Sequence, residues 1–212
     1  MNLSLEHGIL LVKLARNTVT SYLTTGAKPP VPQDIPSQLN EKRGVFVTLR
    51  KIIIDRDGIK RWMLRGCLGY ILPILPLAEA TVNAAIAAAT RDPRFSPLTL
   101  QELSQVIFEV TVVSQPELLQ VSDPRDYPKQ IKVGLHGIMI EKGLVKSVLL
   151  PQIAVEYEWN EKTFLNQACI KIGLPPDAWL LADLKVYRFT AQIFAEVEPY
   201  GEIIERQLYI GG

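Results

Sequence analysis

The chain has 212 residues, of which 48% are hydrophobic and 21% charged, the ordinary composition of a globular protein. Its 23 Lys and Arg residues against 22 Asp and Glu residues leave a formal net charge of +1, so no overall field selects a nucleic acid or a membrane surface as partner. Two cysteines exclude a disulfide scaffold, which is typical of a reducing cytoplasm, and two histidines exclude a His-rich metal centre. No stretch approaches the 18 uninterrupted apolar residues of a membrane span, so we expect a cytoplasmic protein with no membrane contact and no cofactor.

The first half of the chain has the patterns of two helices and a β-hairpin. Apolar residues recur at helical spacing across 4–24, and an alanine-rich stretch predicts a second helix over 77–90, packed close to a sheet. Between them the apolar spacing changes to two residues, at 45–49 and again at 62–71. A turn at 55–58 joins these two strands into a hairpin.

The second half continues with strands and one well-specified helix. A near-continuous apolar run predicts a central strand at 106–113, and a second hairpin is predicted over 130–150. Asn160 is a suitable N-cap for a helix over 161–172. Alternating side chains predict a last strand at 184–197.

These elements predict an α+β fold of two unequal subdomains. Each is expected to be a mainly antiparallel or mixed sheet with helices packed on one face. Residues 1–120 plus 183–212 form the predicted larger subdomain, and residues 121–182 form the smaller, inserted one.

The most informative segment is Met63–Tyr70, where a thiol follows a guanidinium by two residues. Residues two apart on a strand share a face, so Arg65, Cys67 and Gly69 are predicted to point the same way. A neighbouring cation stabilises a thiolate, and Gly66 and Gly69 permit the close approach of a ligand. Cys67 is therefore a candidate nucleophile. The alternative is a packing cysteine, because free Cys is among the most buried residue types.

A second arginine is expected to join this site. Arg94 lies at a predicted corner after Pro93, and with Arg65 it is predicted to bind an anionic group. The alternative is that each arginine forms a local ion pair, for which Asp92 is the obvious partner of Arg94.

Two more residues complete the predicted site. His136 is the only mid-chain imidazole and the candidate catalytic base, although a structural histidine fits the same pattern. Gln152 is expected to line the same cleft.

Cys169 lies on the apolar stripe of the helix over 161–172 and is predicted to be a buried core thiol. No metal site is expected, because the ligands are too few and too far apart.

The chain resembles the AMMECR family over nearly its whole length. Six segments carry the resemblance: Phe46–Leu49, Leu64–Gly69, Asp92–Phe95, His136–Ile138, Leu150–Gln152 and Lys171–Leu174. It departs mildly at Leu68 and Ile172, where isoleucine and alanine are frequent. The resemblance implies an α+β fold of two unequal subdomains and no settled activity. In some relatives, similar domains are fused to, or encoded beside, dioxygenase-like and radical S-adenosylmethionine proteins. The resemblance therefore implies a role in a modification pathway.

Two functions are consistent with these patterns. The first is a ligand- or substrate-handling domain with Cys67 in a cleft, whose partner is a small anionic ligand or a protein. The alternative is a non-catalytic module that binds protein or nucleic acid, with the Arg-Gly-Cys strand as its groove.

Overall fold

The computed structural model describes residues 2–54, 56–181 and 183–208, and of Lys60 only the backbone. Asp55, part of the predicted first turn, lies outside these residues. The helices are α1 (Leu5–Thr25), α2 (Leu77–Thr90), α3 (Tyr127–Gln130), α4 (Pro151–Glu156) and α5 (Glu161–Ile170). The strands are β1 (Gly44–Ile54), β2 (Lys60–Tyr70), β3 (Val106–Val113), β4 (Glu117–Leu118), β5 (His136–Lys142), β6 (Val145–Leu149), β7 (Lys185–Glu196) and β8 (Ile203–Glu205). The predicted α+β class is confirmed.

The chain groups into two compact units. Met1–Val113 with Gln192–Arg206 form the larger unit, and Ser114–Ala191 with Gln207–Gly212 form the smaller one. The sequence pattern placed the last long strand wholly in the larger subdomain. In the structure β7 contributes residues to both units, because its first half pairs with β5 and its last residues pair with β8.

In the larger unit the strands lie in the order β2, β1, β3, β7. Val45, Val47 and Leu49 point from β1 into a core that they share with apolar residues of α1 and α2. Helix α2 consists largely of small residues and lies against β2. A Cβ added to Gly66 would come within 2.2 Å of the Ala88 carbonyl oxygen. The predicted close packing of this helix on the sheet is confirmed.

Strand β2 contains a bulge at Arg65. Thr48 is opposite Cys67 and Arg50 is opposite Leu64, so two steps along β1 correspond to three steps along β2. The extra residue shifts the alternation of side chains by one position. Leu64 and Cys67 therefore lie on one face, and the prediction that Arg65 and Cys67 share a face is wrong.

In the smaller unit β5 lies between β6 and β7, and β4 pairs with β7, all antiparallel. Phe164 and Cys169 of α5 are fully buried in the core of this unit, which confirms the prediction for Cys169. The predicted N-cap is also confirmed, since Asn160 Oδ1 accepts the Thr163 N–H at 2.8 Å. Helix α5 ends at Ile170, two residues before the predicted end.

Candidate functional site

Asp92 and Arg94, which follow α2, form hydrogen bonds with the backbone of Cys67 at the outer edge of β2. Within the described residues β2 has a neighbouring strand on one side only. On the other side the Cys67 N–H donates to Asp92 Oδ2 at 2.8 Å, and Arg94 Nη2 donates to the Cys67 carbonyl oxygen at 3.3 Å. An acidic and a basic side chain thus satisfy the backbone groups that a further strand would otherwise pair with.

Asp92 is the fixed centre of this arrangement. Its carboxylate is buried and also accepts the Arg94 backbone N–H at 3.1 Å and the guanidinium at 2.9 and 2.7 Å. Burial raises the pKa of this carboxyl, but the hydrogen bonds from Arg94 and from the Cys67 N–H outweigh it, and the net pKa lies below the ordinary value. Asp92 is therefore ionised at neutral pH and holds Arg94 in one orientation.

The Cys67 thiol accepts a hydrogen bond from a hydroxyl group and lies within electrostatic reach of a guanidinium. The side chain is half-buried, and the Thr48 hydroxyl donates to its sulfur at an Oγ1–Sγ distance of 3.2 Å. The pKa of Arg94 is raised, first by its hydrogen bond to Asp92 and also by the negative charge of Cys67 when that thiol is ionised. The guanidinium is therefore within electrostatic reach of the sulfur. Its side chain is 53% exposed, so a ligand can approach it.

A buried polar row runs from this thiol across the sheet. Thr48 is directly opposite Cys67 on one side and Glu109 on the other. Glu109 has no exposed surface and forms ion pairs with Arg50, at 3.8 Å, and with Arg206. This row was not predicted from the sequence. A signal was present, because a carboxylate within an otherwise apolar strand requires a partner.

Arg65 is bound to a different carboxylate. Its Nε and Nη2 donate to the two carboxylate oxygens of Glu102 at 3.0 Å each, and its Nη1 donates to the Ser96 carbonyl oxygen at 2.9 Å. Glu102 also completes a capping box, in which it accepts the Thr99 N–H at 3.0 Å. The hydrogen bond from Arg65 is the main reason that the pKa of Glu102 falls to about 2. Local ion pairs, the alternative that the sequence left open, are thus present at both arginines.

The two glycines beside Cys67 are explained by close contacts within the protein. A Cβ on Gly66 would meet the Ala88 carbonyl oxygen of α2, and a Cβ on Gly69 would lie 2.2 Å from the Val45 carbonyl oxygen of β1. The predicted close approach is therefore made by backbone atoms of the chain. A ligand contact at either glycine stays a prediction.

His136 and Gln152 belong to the smaller unit. The Lys132 N–H donates to His136 Nδ1 at 3.0 Å, so the neutral ring carries its proton on Nε2 and can donate but not accept there. Burial, and then the charge of Arg188, lower the pKa of His136. The ring lines a small cavity of about 240 Å³ together with Arg188. Gln152 is buried in α4. Their placement at a cleft with Cys67 stays a prediction.

The comparison with known proteins is decisive for the family. The family model described as AMMECR1 matches residues 12–194. The chain belongs to the AMMECR1 family. A protein of Thermofilum pendens is 51% identical over 209 residues, covering 98% of both chains. A protein of Pyrococcus furiosus is 48% identical, covering 96% of this chain and 94% of its own.

A solved structure shows the same fold. The crystal structure of an uncharacterised protein from Pyrococcus horikoshii is 47% identical and superposes with a TM-score of 0.90, covering 96% of this chain and 98% of the other. The α+β architecture of this AMMECR1 family member is therefore that of a known structure.

Two features are absent from the described residues of this AMMECR1 family member. In residues 2–54, 56–181 and 183–208, no three His, Cys, Asp or Glu side chains lie together in a group that could hold a metal ion. In the same part of the chain, no helix combines the length and the apolar character that crossing a bilayer requires.

Proposed function

We propose that this AMMECR1 family member is a ligand- or substrate-handling domain whose reactive group is the Cys67 thiol. The observation that carries the proposal is the setting of that thiol, which is half-buried, accepts a hydrogen bond from Thr48 and lies beside the exposed guanidinium of Arg94. The ligand that fits is a small anionic molecule, or an anionic group of a protein partner, because Arg94 offers it a cation.

The chemistry of the proposal depends on the ionised form of Cys67. A thiolate, not a thiol, is the nucleophile, and a hydrogen bond donated to the charged form favours that form. Asp92 orients Arg94 but also cancels part of its charge. The Thr48 hydroxyl therefore supplies the most direct stabilisation of the thiolate, with Arg94 as the group that attracts an anionic ligand.

His136 remains a predicted catalytic residue. In the tautomer that the structure shows, a base role for His136 requires the hydrogen bond from the Lys132 N–H to break first. The proposal for the Cys67 site does not depend on that step, because ligand capture by a thiolate needs no second proton acceptor.

Arg65 and Gly66 also remain part of the proposed ligand site. An anion that binds Arg65 has to displace the Glu102 carboxylate, which already accepts hydrogen bonds from Nε and Nη2 of the guanidinium. Arg94 is therefore the arginine that we expect an anionic ligand to reach first.

The family resemblance also supports a place in a modification pathway. We propose that radical S-adenosylmethionine and dioxygenase-like proteins are the partners to test first. Calorimetric titration of such a protein into the wild type and into Cys67→Ser would show whether the thiol takes part in the contact. Equal affinity for the two would assign the contact to another surface.

The pH dependence of Cys67 alkylation tests the proposal. With iodoacetamide and mass spectrometry, we expect Cys67 to reach half of its maximal rate clearly below pH ~8.5, the value of a free thiol. Thr48→Val should raise that midpoint by about one pH unit. The buried Cys169 is an internal reference, and Thr24→Val on an exposed turn of α1 is the matched control. A midpoint near that of a free thiol, unchanged in Thr48→Val, would remove Cys67 as an activated group.

One observation favours the alternative, a non-catalytic binding module. Pairing of β1 with β3 ends at Lys51, so the rest of the β1–β2 hairpin extends beyond β3. It exposes the large apolar side chains of Ile54 and Met63. Binding through this hairpin should be lost in Met63→Asp and unaffected in Cys67→Ser, whereas binding through the thiol site should show the opposite pattern.

A further inference from the structure

The smaller unit contains a cavity that is separate from both of its predicted site residues. It is a half-open cleft of about 620 Å³, within the size range of small-molecule sites. Part of its wall is apolar and is formed by Pro128, Trp179 and Leu180. The Trp179 indole is almost fully buried, and its Nε1–H donates to Asn166 Oδ1 at 2.7 Å, so the ring is held in a fixed orientation.

The charged groups of this cavity differ in whether they are already paired. Arg125 lines the cavity, but its guanidinium is bound by the Asp123 carboxylate. Lys162 and Asp177 also line it, and neither forms an ion pair with any residue in the described part of the chain. One cation and one anion without an ion-pair partner among the described residues therefore accompany an apolar wall.

This combination fits a ligand that carries both charges and an apolar body. A purely anionic ligand would pair with Lys162 but would place a second negative charge near Asp177. A purely cationic ligand would pair with Asp177 but would place a second positive charge near Lys162. A zwitterion satisfies both groups, and a large apolar side chain covers the wall that Trp179 and Leu180 form.

We propose that this cavity binds a free α-amino acid with an aromatic or large aliphatic side chain. Its carboxylate would pair with Lys162 and its ammonium group with Asp177, and its side chain would pack against Leu180 and the small exposed edge of the Trp179 ring. This inference is independent of the function proposed for Cys67, since it uses none of the same residues.

The test uses the whole chain and L-phenylalanine as the probe. The chain has three tryptophans, so the indole N–H signal of Trp179 can be assigned in a ¹H–¹⁵N spectrum by its loss in Trp179→Phe. We expect L-phenylalanine to shift this signal with a Kd of about 1 mM or lower. Two analogues separate the charges: 3-phenylpropanoate lacks the ammonium group and 2-phenylethylamine lacks the carboxylate. Each should bind about tenfold more weakly than L-phenylalanine.

Variants test the same two groups from the side of the protein. Lys162→Met and Asp177→Asn should each weaken L-phenylalanine binding about tenfold. Lys13→Met and Asp34→Asn make the same chemical changes at exposed positions of the larger unit and should leave it unchanged.

Three results would overturn the proposal. These are a Trp179 signal that L-phenylalanine does not move, an analogue that binds as tightly as L-phenylalanine, and variants that bind as well as the wild type. The analogues address the wild-type chain, so the proposal stays testable even if a variant fails to fold.

Discussion

The sheet of the larger unit and the cavity of the smaller unit use charged side chains in different ways. Around the sheet of the larger unit Arg16, Arg65, Asp92 and Glu109 each have a partner of opposite charge within the unit. In the cavity of the smaller unit Lys162 and Asp177 have none among the described residues. A charge that already has a buried partner contributes first to the fold, whereas an unpaired charge on a cavity wall gains most from a ligand. The Cys67 site combines both, because Arg94 is anchored by Asp92 yet half exposed.

Substitution of Arg16 is expected to show most clearly that the paired charges of the larger unit stabilise the fold. It forms a buried ion pair with Glu196 and lies 4.5 Å from the centroid of the Phe108 ring. Arg16→Met leaves the Glu196 carboxylate buried without its cation, so we expect the free energy of unfolding to fall by about 3–5 kcal/mol in urea titrations. Lys13→Met, on the exposed face of the same helix, should change it by less than about 0.5 kcal/mol. Equal effects would show that the buried pair has no special role in stability.

The pH dependence of Glu102 gives the next largest effect. Its pKa in the folded protein is about 2, below the ordinary value of 4.5, so the unfolded state binds the proton more readily. The stabilisation is therefore present above pH ~4.5 and is lost as the pH falls towards ~2, by about 3 kcal/mol in all. The difference in unfolding free energy between wild type and Glu102→Gln should shrink over that range. A difference that does not vary with pH would contradict the pairing with Arg65.

Arg65→Lys should have a smaller effect. Lysine keeps the positive charge but cannot make the two parallel hydrogen bonds to Glu102, so we expect a loss of about 1–2 kcal/mol in unfolding free energy. The same variant tests the predicted anion site: if Arg65 also binds an anion, sulfate should stabilise the wild type more than Arg65→Lys. An equal response to sulfate would leave Arg65 with a structural role only.

The sequence predicted the local parts of the fold well, because their signals lie within a few residues. Helix α2 and the cap at Asn160 depend on neighbouring residues and are confirmed. The ion pair between Asp92 and Arg94 is also local, and it was one of the two alternatives predicted for Arg94 from the sequence. These features required no knowledge of how the strands pair.

The missed features depend on contacts between distant segments. The bulge at Arg65 is a property of the register with β1, and the Glu102 partner of Arg65 is 37 residues away. Thr48 and Glu109 become neighbours of Cys67 only through the strand order β2, β1, β3. Pattern within one segment cannot show such relations, so the sequence pointed to the thiol and to Arg94 but not to Thr48 and Glu109.

The most direct test of the Cys67 site compares an anionic with a neutral alkylating reagent. If the exposed guanidinium of Arg94 attracts anionic ligands to the thiol, iodoacetate should react with Cys67 faster, relative to iodoacetamide, than it does with free cysteine. Arg94→Gln should lower this ratio of rates about fivefold, with Arg125→Gln, an exposed arginine of the smaller unit, as the control. A ratio equal to that of free cysteine and unchanged in Arg94→Gln would contradict an anion-binding thiol site.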